Sequence, residues 1–159
     1  MIVLALAVVL LATPLIGMVH AEPPTPVSGT IEFASVVPMG PPKVAGKSDN
    51  RIRMFTIVEE WSGDIEGVGI AEARWTIHNA PLFSPDAWIN AYAIITFTDV
   101  TVLERSGSLT IKLVMQGAED VGHWTIMEGT GELANIHGQG WGSIETDPFI
   151  YTGLVNFDP

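Results

Sequence analysis

The chain has 159 residues, with 7 Lys plus Arg against 18 Asp plus Glu, a net charge of -11 and no cysteine. That length supports one domain with a real core and is short for two. Such a charge, with no basic cluster to offset it, repels nucleic-acid phosphates and anionic membrane surfaces, and the lack of cysteine excludes disulfides, thiolate catalysis and thiolate metal sites.

The chain opens with "MIVLALAVVLLATPLIGMVHA", residues 1–21, which has no charged side chain. An apolar run from Ile2 to Ala12 leads to Val19 and Ala21, small residues suited to the -3 and -1 positions of a signal-peptidase site. The expectation is a cleaved signal and a secreted or periplasmic protein. If the segment is retained, it becomes a membrane anchor, since Ile2 to Val19 only just reaches spanning length. Residues 22–28 are rich in proline and read as a spacer, and residues 29–159 as the folded domain.

That domain reads as strands. The segments 29–37, 51–61, 63–79, 88–104, 107–117, 121–128, 138–145 and 149–158 are dominated by β-branched and aromatic residues. Residues 38–50, "PMGPPKVAGKSDN", form an irregular connection. Downstream of residue 28 nothing has a helical period, though "GELANI" suits one short turn. The expected fold is all-β: an eight-stranded antiparallel up-and-down barrel, closed so that no edge is left. A two-sheet β-sandwich is the alternative.

Alternation assigns faces. In 63–79, Ile65, Gly67, Gly69, Ala71, Ala73, Trp75 and Ile77 make a small apolar set expected inward. In 88–104 one set holds Trp88, Asn90, Tyr92, Ile94, Val100 and Val102, and the other holds Ile89, Ala91, Ala93, Ile95, Phe97 and Asp99. Both are apolar in the middle, which fits a wall covered outside by another subunit and hence a homo-oligomer.

The glycine-rich stretch "GHWTIMEGTGELANIHGQGWGS", residues 122–143, lacks the helix start and Lys-Ser/Thr ending of a phosphate loop. It reads instead as strand, glycine turn, short plug and strand. Leu133 and Ile136 are expected to plug one barrel end. The side-chain-free face of Gly138, Gly140 and Gly142 is expected to border a cavity or to lie under a bulky neighbour such as Trp75.

"ERSGSLTI" at 104–111, "GHWTIMEGTGELANIHGQG" at 122–140 and "WSGDIEGVGIAEARW" at 61–75 together resemble the domain of unknown function 3224 family. The resemblance implies a small barrel of the allene oxide cyclase and dirigent type. Glu104 departs from it, since glycine is more usual before Arg-Ser-Gly-Ser. It implies no particular activity, because one fold hosts many functions.

Chemistry-bearing residues are sparse. Glu59 and Glu60 are adjacent, so one of them points inward, where burial would raise its pKa and suit it to acid-base work. With Tyr92 and His123, Glu59 makes the candidate catalytic set. Arg105 is expected to tie a turn. The histidines have no ligand spacing, so no metal is expected, and no cofactor either. Trp75, Phe97, Trp124 and Trp141 are the candidate ligand-binding aromatics. The leading functional expectation is an exported barrel that binds a small apolar molecule. A structural subunit of an extracellular or membrane-associated assembly and a cofactor-free cyclase or isomerase are the alternatives.

Overall fold

The computed structural model describes residues 23–44, 50–78, 88–117, 121–143 and 147–158. The segment read as signal or anchor, 1–21, and the connection 79–87 lie outside the described residues.

Alternating apolar residues generate nine strands. These are β1 (Thr25–Pro38), β2 (Lys43–Val44), β3 (Arg51–Gly63), β4 (Ile65–His78), β5 (Trp88–Val102), β6 (Arg105–Met115), β7 (Val121–Gly129), β8 (Ile136–Ser143) and β9 (Phe149–Phe157). A 3-10 turn, Gly131–Leu133, joins β7 to β8. From β3 to β9 each long strand pairs antiparallel with the next. β1 then pairs with β9 on one side and β3 on the other, so the sheet closes on itself. The two-residue β2 lies beside the start of β3. The result is an eight-stranded antiparallel closed barrel with one short connecting strand, and not a sandwich. Closure leaves no long edge open to another chain.

Two sequence expectations change. Residues 25–28, expected as spacer, are the first part of β1. There β1 pairs with β9 alone, its pairing with β3 starting at Gly29, so Pro26 is accommodated where one side of the strand is unpaired. The faces of β5 also swap partway. Phe97 pairs with Leu109 and Val100 with Gly107, one residue more on β5 than on β6. This bulge turns Val100 and Val102 inward to join Phe97, although strict alternation groups them with Tyr92. In β4 the expected inward set holds, and Ile65, Ala71, Ala73 and Ile77 are buried.

One end of the barrel is filled. Leu133, on the 3-10 turn, is fully buried, and Ile136 is buried beside it, as expected of a plug. Below them Trp61 meets Phe97 edge-on at 5.7 Å and Tyr151 at 4.9 Å. Trp124 completes the filling. A Cβ built on Gly140 would stand 2.5 Å from its indole, and one on Gly153 would overlap the same ring. The glycine face is therefore divided: Gly140 lies under a tryptophan, Trp124 and not Trp75, Gly138 lies against Val155 and Ile126, and Gly142 borders a cavity. The Trp124 Nε1 donates to the Trp141 carbonyl at 3.2 Å, so the ring's polar edge is satisfied.

Tyr151 links β9 to the start of β4. Its hydroxyl accepts from the Ile65 N–H at 2.7 Å and donates to the Ile65 carbonyl at 3.1 Å. Burial, with a push from the Asp64 carboxylate, takes the phenol up to about 12, so the hydroxyl keeps its proton. Replacing it leaves two buried backbone groups without this partner. Tyr151→Phe is expected to cost about 1–3 kcal/mol, seen as a lower urea midpoint with an unchanged slope. An unchanged midpoint would show that water replaces the hydroxyl.

Candidate functional site

The other end of the barrel holds a cavity of about 490 Å³. Its origin is residue size. Inward positions there are Ala73 on β4, Ala91 and Ala93 on β5, Gly122 on β7 and Gly142 on β8. A barrel of eight strands is only wide enough for its own side chains, so a ring of small residues leaves space. Larger apolar groups form the walls: Ile31, Phe55, Ile57, Trp75, Leu113, Met115 and Phe149. Phe55 and Trp75 pack with ring centroids 4.5 Å apart, and Phe149 meets Phe33 edge-on at 4.8 Å.

Three polar side chains interrupt this lining: Glu59, Arg53 and Ser143. Glu59 sits at residue 59 of β3, one inward step from Trp61, and is 5% exposed. Among the described residues it is the one buried charged side chain. Glu60 points outward, so the adjacent pair divides between the two faces as alternation requires. The Glu59 Oε2 accepts a hydrogen bond of 2.9 Å from the Trp61 indole N–H. Burial raises its pKa from 4.5 to about 7, and the indole donor opposes that rise. Near neutral pH the carboxyl therefore exchanges a proton inside an apolar chamber.

The other candidate catalytic residues are elsewhere. Tyr92 is 46% exposed and His123 is also exposed; both stand on the outer wall. The register sets Tyr92 opposite Val114, Val114 opposite His123, and His123 opposite Trp141. Tyr92 and His123 thus belong to one outer row, with Glu59 on the far side of the sheet. The four candidate aromatics divide as well. Trp75 lines the cavity, Phe97 and Trp124 are core, and Trp141 is 52% exposed beside His123. Each described histidine has a local partner. His78 stacks on Trp88 at 3.7 Å, His123 packs on Trp141 at 3.2 Å, and His137 lies 2.9 Å from Asp158. Arg105 lies over the Phe157 ring at 3.8 Å near its turn.

Arg53, Phe55 and the alanines were not marked as site residues by sequence reasoning. The signal for Arg53 was available: counting back from Glu59 by twos along β3 reaches Ile57, Phe55 and Arg53, all on the inward face. The expectation that no basic cluster exists also fails. Four of the seven basic residues, Lys43, Lys47, Arg51 and Arg53, fall within 43–53. Pairing of Lys43 with Ile52 gathers the described three of them at the cavity end of β3.

The Glu59 shift has a stability consequence. The folded protein holds this proton more tightly than the unfolded chain does. The contribution is therefore fully present below about pH 4.5 and is lost as pH rises to about 7. The stability of the wild type minus that of Glu59→Gln should fall by about 3 kcal/mol across that window and then level off. Urea titrations of both proteins at several pH values measure it. A difference that stays constant with pH would mean that Glu59 titrates as if in water.

No family model and no curated protein matches the chain. Among solved structures, a protein of unknown function from the DUF3224 family of Shewanella oneidensis MR-1 is similar, with 19% identity. The match covers 86% of this chain and 99% of that one, with a TM-score of 0.68. A pyocyanin demethylase aligns over 82% of this chain and 99% of its own, with 18% identity and a TM-score of 0.49. The first of these matches establishes that this chain and the DUF3224 protein share a fold, the same small barrel that the sequence resemblance implied.

Proposed function

We propose that this protein binds a small hydrophobic molecule inside its barrel. The observation that carries the reading is the cavity of about 490 Å³, walled by apolar side chains and broken by few polar ones. Its volume lies in the range of about 300–1,000 Å³ usual for small-molecule sites, and its lining has the usual composition. Apolar walls supply the binding free energy, and Glu59 supplies one group able to orient a ligand by donating or accepting a hydrogen bond. Membership of the DUF3224 family is part of the proposal and is supported by the shared fold and the three sequence segments that resemble it.

Two further parts accompany it. Export is supported by the uncharged apolar run of the first 21 residues. Self-association is supported by apolar side chains on the outer wall, among them Val68, Ile70, Trp141 and Leu154. The cyclase or isomerase alternative now has one acid-base group in the cavity, Glu59, without Tyr92 or His123 as helpers. Binding is the better-supported reading, because it requires no second catalytic group.

Titration with the neutral dye Nile red tests the reading. The wild type should bind it with a rise in fluorescence. Ala93→Trp, which fills the cavity from β5, should weaken binding about 10-fold or more while the fold persists by circular dichroism. Equal binding by both proteins would place the dye outside the barrel and remove the support for this function.

A further inference from the structure

Resting on the cavity reading, we infer that the ligand is amphipathic: an anionic group held by Arg53 at the barrel rim, with an apolar body extending inward toward Glu59. Arg53 and Glu59 lie on one face of β3, six residues apart, with Phe55 and Ile57 between them. That spacing corresponds to about 20 Å along the strand. The cavity is thus an apolar channel with a guanidinium at one end and a carboxyl at the other.

Three observations point to an anion. First, Arg53 is half-buried in an apolar lining, and among the described residues it makes no hydrogen bond or ion pair. A guanidinium is always charged and offers a planar fork of donors that fits a carboxylate, phosphate or sulfate. Second, its placement opposes the charge of the chain. A protein of net charge -11 places Lys43, Arg51 and Arg53 together at this end. Among the described residues, these cations offer an anion positive charge beside the rim. Asp147 lies just ahead of β9 at the same end, with no ion pair to Arg53. Third, the walls beyond Arg53 are mostly apolar, with Phe55, Ile57 and Ala73 along them and, among the described residues, no second cation. An anion without a long apolar body would gain little from them, and a neutral apolar molecule would leave the guanidinium unused.

The test compares three ligands that share one apolar chain: dodecanoate, its methyl ester and dodecanol. Displacement of Nile red from the full chain reads their affinities. Dodecanoate should bind about 10- to 100-fold more tightly than the ester or the alcohol, the usual worth of a hydrogen-bonded charge. Arg53→Gln should abolish that preference while leaving the ester unchanged, and Arg53→Lys should restore part of it. Dodecyl sulfate and dodecyl phosphate, run below their micelle thresholds, then rank the anionic groups. Equal binding of acid, ester and alcohol by the wild type would overturn the anion assignment and leave the cavity reading standing. Loss of ester and acid binding together in Arg53→Gln would also overturn it, as Arg53 would then be a wall residue. If none of the three displaced the dye, both the cavity reading and this inference would fall.

Discussion

The lumen of an eight-stranded barrel is about as wide as the side chains its strands turn inward, so the size of each inward residue decides what is solid and what is open. This one constraint divides the molecule. Toward the tight turns, Trp61, Phe97, Trp124, Tyr151 and Leu133 meet and fill the lumen. Toward the other end, Ala73, Ala91, Ala93, Gly122 and Gly142 do not reach across it. The core and the cavity are thus two halves of the same cylinder. The filled half supplies stability, and it lets the hollow half go without the packing a solid core requires.

Glu59 sits near the junction of these halves. Its carboxyl rests on the Trp61 indole N–H, a core group, while it also lines the chamber. A buried acid is tolerated here because one oxygen has a fixed donor and the other faces open space. The same placement makes its proton sensitive to what enters. An apolar guest excludes water and favours the neutral form, whereas a hydrogen-bond donor favours the charged one.

Much of the fold was legible in the sequence, because closure and strand count follow from local alternation and turn residues. β4 shows this best: its small apolar set is inward throughout. β5 shows the limit. A single extra residue opposite β6 reverses the faces, and nothing local at Thr98 or Asp99 announces it. The site was less legible for a related reason. The alternating glycines of β8 signalled a missing wall of side chains, but which ring covers them depends on register between strands. Trp124 lies across Gly140 because β7 pairs with β8, a non-local fact. Likewise the pairing of Glu59 with Glu60 signalled one inward acid, while the orientation of Tyr92 and His123 waited on the sheet. Arg53 is masked in the sequence by the chain's negative charge, because its place at the cavity end depends on where β3 carries it.

The 3-10 plug has a kinetic implication. With Leu133 and Ile136 sealing one end, the chamber is a blind alley and not a tunnel. A guest bound there would have to leave by the route it took in, and a newcomer could not push it out from behind. Exchange would then be sequential, with departure before replacement, and residence time would be governed by whatever holds the guest at the rim.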